Sequence, residues 1–185
     1  MTKIFVVSLP RTGTSSIATL FNNVAIKCKH VPSNYYNHLK DEYDAFADTP
    51  CFDPNFIAEV CYNEPNTHKF IYICRPVYDW MNSIEKSNLH IYYKDMVDNC
   101  VLNGESFMDK KTWGNVFGYD GIYSKTKFRN KFFEHRKNID NLLRNEKIFY
   151  YNIGTDVQGL LTFLNVNVSL YPNIKFPHEN KATLF

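Results

Sequence analysis

Arg11 stands beside Thr12, Gly13, Thr14, Ser15 and Ser16, so a permanent positive charge and a run of hydroxyls gather around one glycine. Side chains of these types, so close along the chain, can hold an anion. A guanidinium stays charged and aims paired N–H donors at oxygens, and hydroxyls add further donors. The flanking residues say how such a turn is held. Ile4 to Val7 is an apolar, β-branched run of strand length, Pro10 and Gly13 punctuate the turn, and Ile17, Leu20, Phe21 and Val24 recur at helical spacing. A strand therefore feeds a loop that opens a helix, whose first N–H groups and positive dipole end face whatever sits over residues 12–16. A plain strand-to-helix turn with capping hydroxyls is the competing reading.

The loop is not a Walker A sequence. That pattern needs Gly, four residues, then Gly-Lys-Ser/Thr, whereas Ser8 occupies the first glycine position and Thr14 the lysine position. A second element adds to the first. Lys69 to Cys74 is a near-continuous apolar run, as in a central parallel strand covered on both faces, and Arg75 falls at its C-terminal end, where open α/β sheets bind ligands. Pro76 stops the strand, residues 77–84 begin a helix, and Ser83 lies two turns along. Arg75 and Ser83 can converge on one phosphate. A surface ion pair of Arg75 with Asp79 or Glu85 is the ordinary alternative.

Together these residues resemble the sulfotransferases that use 3′-phosphoadenosine 5′-phosphosulfate (PAPS). Pro10-Arg11-Thr12-Gly13-Thr14-Ser15 is similar to that family's 5′-phosphosulfate loop in a Pro-Arg form, and Arg75 with Ser83 is similar to its 3′-phosphate site at the family's own spacing. The likeness is nearest to a small group with Leu-Pro-Arg-Thr-Gly-Thr near the N-terminus. Cys28-Lys29-His30, Tyr43-Asp44-Ala45, Asp48-Thr49-Pro50 and Phe176-Pro177-His178-Glu179-Asn180 match further elements of that group. Two departures stand out: Arg75-Pro76-Val77 replaces the group's Arg-Asp-Pro, and only Gly154-Thr155-Asp156 lies where many cytosolic members carry a lysine- and glycine-rich nucleotide loop.

The resemblance implies PAPS as sulfuryl donor, an unidentified hydroxyl or amine acceptor, and no metal. It puts Pro10, Arg11, Thr12, Gly13, Thr14, Ser15 and Ser16 on the 5′-phosphosulfate and Arg75 and Ser83 on the 3′-phosphate. In-line sulfuryl transfer asks the protein for positioning and for neutralisation of charge on the leaving oxygen, and Arg11 is the candidate for that task. A P-loop kinase acting on a nucleotide or small molecule is one alternative, against which Thr14 in the lysine position counts. A non-catalytic nucleotide-binding module is the other.

The acceptor also needs a group to take its proton. His30 follows the expected second strand and so reaches the same sheet edge as the loop, with an intrinsic pKa suited to general base work. Asp48, just before Pro50, is the second candidate. In the ordinary readings His30 packs at a strand end, Asp48 caps a helix starting near Pro54, and His178 belongs to a docked tail.

Composition bounds the rest. At 185 residues and 44% hydrophobic content, the chain is expected to form one domain, 1–185, with a continuous core. Lys+Arg 21 against Asp+Glu 19 gives no demand for a nucleic-acid partner, and the basic stretch Lys125 to Lys137 reads as the solvated side of a helix whose inner face is Phe128, Phe132, His135, Ile139 and Leu142. Five cysteines without a Cys-x-x-Cys pair indicate neither a disulfide framework nor a zinc site. With no signal-peptide pattern and no spanning segment, a cytoplasmic protein without membrane contact is expected. Strands at 3–8, 26–29, 69–74 and 147–152 alternate with helices at 14–24, 54–63, 78–87 and 122–145 and a last one marked by Val157, Leu160, Leu161 and Leu164. The pattern predicts an α/β, three-layer P-loop fold with a central parallel sheet and helices on both faces. Residues 88–120, with aromatic residues at no clear period, read as a lid or acceptor-binding insertion.

Overall fold

The computed structural model describes residues 2–31, 39–65, 67–88, 106–118 and 120–177, the side chains of 106–110 excepted. Its strands are β1 (Ile4–Val6), β2 (Cys28–His30), β3 (Ala45–Ala47), β4 (Lys69–Cys74) and β5 (Lys147–Asn152). All pair in parallel, in the order β2-β3-β1-β4-β5. The helices are α1 (Thr14–Asn23), α2 (Lys40–Glu42), α3 (Pro54–Asn63), α4 (Val77–Lys86), α5 (Ser106–Phe117), α6 (Lys125–Leu142) and α7 (Val157–Phe163), followed by a 3₁₀ turn at Val168–Leu170.

Strand alternation sorts the helices into two layers. Ile4, Val6, Ile71 and Ile73 face Ile17, Leu20 and Phe21 of α1 and Val157, Leu160 and Leu161 of α7. Phe5, Val7, Phe70 and Tyr72 point the other way, onto Phe56, Ile57 and Val60 of α3 and Ile139 of α6. Because both faces are covered, β1 and β4 can be apolar almost throughout. The architecture is the α/β, three-layer arrangement that the alternation of elements predicts. Among the described residues no helix is long and apolar enough to cross a membrane.

Several elements escape the sequence pattern, the short α2 among them. β3 lies in a stretch that reads as polar loop, since Ala-Phe-Ala is too short to show a period; register with β1 and β2 makes it a strand. α5 falls within the expected insertion at 88–120, of which residues 89–105 and 119 lie outside the described residues. Its Trp113, Val116 and Phe117 join Leu9, Phe52, Trp80, Ile84, Phe128 and Phe132 in a third apolar cluster. These aromatics stack on one another, Phe117 on Phe128 at 4.7 Å and Trp80 against Phe132 at 5.0 Å between ring centroids. Trp113, Val116 and Phe117 stand at i, i+3 and i+4, on one face of the helix.

The strand order fixes where a ligand can sit. The chain leaves β1 toward β2 on one side and leaves β4 toward β5 on the other, so the connections diverge between β1 and β4. That divergence opens a crevice at the C-terminal ends of those two strands. Ser8 ties the two strands together there. Val7 donates its N–H to the Ile71 carbonyl (2.9 Å), and the buried Ser8 hydroxyl then accepts the N–H of Ile73, continuing the β1–β4 ladder with a side chain. This gives a reason for serine where a Walker loop has glycine. Ser8→Ala leaves the Ile73 N–H buried without that acceptor and is expected to cost about 1–2 kcal/mol of unfolding free energy, measured by urea titration. An unchanged midpoint and slope would show that the hydroxyl does not hold the two strands.

Candidate active site

Gly13 makes the turn from β1 into α1 possible. Its φ of 115° is strained for any residue with a side chain, and a Cβ there would meet Ile153 Cδ1 at 3.3 Å. As N-cap it supplies no side-chain cap, so α1 opens toward the crevice with its dipole unopposed by any acidic residue in the first turn. The loop is braced from beneath. Trp80 of α4 donates its indole N–H to the Pro10 carbonyl at 2.8 Å, which ties the third apolar cluster to the loop backbone. Nothing in the spacing of Trp80 advertises this role.

Arg11, at φ 66°, sits in the left-handed region, a conformation that costs free energy in a non-glycine residue and is held here by its neighbours. Its Nε lies 3.3 Å from Ser83 Oγ, and its carbonyl accepts from the Arg75 guanidinium. The structure thus brings Arg11, Arg75 and Ser83 to one rim, with Arg75 turned toward the loop. Burial lowers the Arg75 pKa from its ordinary value, Asp79 opposes that and the Arg11 charge adds to it. A guanidinium stays charged under such a shift, so two cations share the rim. Glu85, one of the ion-pair partners weighed for Arg75, instead pairs with Lys125 at 3.0 Å and accepts from the Tyr123 hydroxyl.

The hydroxyls divide by direction. Thr12 turns inward, its side chain donating to the Leu9 carbonyl at 2.6 Å and its N–H reaching the same oxygen at 3.3 Å. Thr14 donates to Asp48 Oδ2 at 2.6 Å, Ser15 Oγ lies 3.2 Å from His30 Nε2, and Ser16 is buried. Gly13 and Ser15, half-buried, therefore edge the open side of the turn beside Arg11, with Thr14 buried behind them.

His30 and Asp48 meet because of strand register. His30 ends β2 opposite Ala47 of β3, so Asp48, the next residue, emerges beside it, and His30 Nε2 stands 3.4 Å from Asp48 Oδ2. Asp48 does not cap α3. That cap is Asp53, whose carboxylate accepts from Asn55 N at 2.9 Å. Burial pushes the Asp48 pKa up, but the hydrogen bond and charge of His30, the Thr14 hydroxyl and the Thr49 N–H outweigh it, and the carboxyl is held below its ordinary range. Asp48 at φ 72° and Val31 at φ 58° add two further left-handed residues beside the site. His178 lies outside the described residues.

A comparison with protein families matches residues 29–185 to a sulfotransferase domain. The chain belongs to this family. The match begins after the β1–α1 loop. No curated protein matches the chain. As a sulfotransferase it requires a sulfuryl donor and an acceptor, and the crevice between β1 and β4 is where the fold gathers donors for an anion. Among the described residues no group of three His, Cys, Asp or Glu side chains is placed to hold a metal ion.

Proposed function

We propose that the protein transfers a sulfuryl group from PAPS to a hydroxyl or amine acceptor. The observation that carries this reading is the shared rim of Arg11, Arg75 and Ser83, in a chain of the sulfotransferase family. PAPS carries phosphate at both its 5′ and 3′ positions, and when bound it supplies the activated sulfuryl group. The residues fit such a doubly phosphorylated nucleotide: the donor set is cations, hydroxyls and a helix start, and the carboxylate beside the loop, Asp48, is engaged by Thr14 and His30. Gly13, Thr14, Ser15 and Ser16 hold the 5′-phosphate side with the opening of α1, and Arg75 with Ser83 holds the 3′-phosphate. Arg11 neutralises charge on the leaving phosphate oxygen. The His30–Asp48 pair receives the acceptor's proton.

Calorimetric titration with adenosine 3′,5′-bisphosphate, and separately with ATP and Mg²⁺, tests the proposal. Selective binding of the bisphosphate is expected, weakened roughly ten- to a hundredfold in Arg75→Ala through loss of charge-assisted hydrogen bonds. Preference for ATP with Mg²⁺ would replace the reading with a kinase. Tight bisphosphate binding without sulfuryl transfer to a broad panel of acceptors would leave a non-catalytic module.

A further inference from the structure

We propose that Asp48 is a positioning residue that fixes the tautomer of His30, so that the imidazole takes the acceptor's proton through Nδ1. This rests on the sulfuryl-transfer reading above.

The contacts of His30 with the loop and with Asp48 all fall on one ring nitrogen. Nε2 lies 3.2 Å from Ser15 Oγ, 3.3 Å from Thr14 Oγ1 and 3.4 Å from Asp48 Oδ2. The Thr14 hydroxyl proton is committed to Asp48 Oδ2 at 2.6 Å, which turns an oxygen lone pair of Thr14 toward the ring. Asp48 itself offers only acceptors to the ring: Oδ2 takes the Thr14 hydroxyl and Oδ1 the Thr49 N–H at 2.9 Å. A bare Nε2 could accept from the Ser15 hydroxyl, but it would set its lone pair against a carboxylate and a committed hydroxyl oxygen. A protonated Nε2 donates to them instead. Neutral imidazole with its hydrogen on Nε2 carries the lone pair on Nδ1.

Exposure separates the roles of the pair. The His30 side chain is 34% exposed and that of Asp48 14%, so the ring is the more accessible of the two to an acceptor. The logic is that of a base oriented by a carboxylate on one nitrogen while the nucleophile meets the other. In the step itself, the acceptor O–H (or N–H) proton passes to Nδ1 as the acceptor atom bonds to sulfur. The bond from sulfur to the 5′-phosphate oxygen breaks with its electron pair left on that phosphate, beside Arg11. The imidazolium then returns its proton to water. The loop hydroxyls hold the Nε2 edge, so the acceptor approaches from the edge that faces away from them.

The test is a long-range ¹H–¹⁵N correlation of the His30 ring in ¹⁵N-labelled protein, recorded in alkaline buffer and read alongside transfer kinetics. The wild-type ring is expected to be protonated at Nε2. In Asp48→Asn the amide oxygen is expected to take the fixed Thr49 N–H, which places the amide NH₂ toward His30 and inverts the tautomer. Asparagine tolerates the left-handed backbone at this position, so the variant keeps its fold. The inverted ring should lower kcat at least tenfold with little change in KM for the donor. A wild-type ring protonated at Nδ1, or a tautomer unmoved in Asp48→Asn, overturns the proposal. The expected tautomer and inversion in a protein with no transfer activity would sink the sulfuryl-transfer reading and the base role with it, leaving only the orienting contact.

Discussion

Arg11→Ala is expected to lower kcat by about 10²–10³ while the KM for PAPS changes only a few fold, the pattern of a group that acts on charge developing in the transition state. The structure makes this a clean substitution. Arg75 grips the Arg11 carbonyl and Trp80 grips the Pro10 carbonyl, and both contacts are to backbone that alanine retains. The left-handed φ of 66° is no harder for alanine than for arginine. What disappears is the guanidinium and its bond to Ser83. Steady-state kinetics with PAPS separates the two effects. A raised KM for PAPS with kcat unchanged would mean that Arg11 only binds, and would move the charge-neutralising role elsewhere on the rim.

What the sequence discloses and what it conceals divide along the range of the forces involved. β4 and β5 are legible to the residue because a six-residue apolar or alternating run is a local signal, and the face Phe128, Phe132, His135 and Ile139 of α6 is legible for the same reason. The loop around Gly13 is legible because a positive φ and a helix start demand particular residues. Contacts that depend on register are not. The approach of His30 to Asp48 needs β3 to exist and to pair with His30 opposite Ala47, and three residues of strand carry no period from which to read that. The inward turn of the Thr12 hydroxyl and the use of Ser8 as a ladder acceptor are likewise choices of rotamer, made only once β4 is alongside. Trp80 is hidden for another reason: an indole in a helix is ordinary core, and its hold on Pro10 follows from where α4 lands.

Acid should weaken this fold through His135, by up to about 3 kcal/mol between pH 6.5 and pH 4. The ring is buried in α6, donating from Nε2 to the Phe52 carbonyl at 2.8 Å, with the Tyr72 hydroxyl 3.5 Å from Nδ1. Burial pushes its pKa down to about 4, the Phe52 carbonyl pulls back, and the charge of Arg136 adds to the depression while Asp140 opposes it. As pH falls below the ordinary histidine value, the unfolded chain takes up a proton that the folded chain refuses until about pH 4. The unfolded state binds more protons across that window, so stability falls with falling pH. Burial lowers His68 as well, which titrates in the same direction, whereas the Asp48 carboxylate loses its contribution only at lower pH. His135→Gln isolates the single ring: glutamine keeps an N–H donor for Phe52 but cannot titrate, and the His68 and Asp48 effects are common to both proteins. Urea unfolding from pH 7 to pH 4 should show the wild type losing about 3 kcal/mol more than the variant. Parallel pH profiles would mean that the ring is not held neutral, and that the Phe52 carbonyl, which leads into the Asp53 cap of α3, is met by an imidazolium instead.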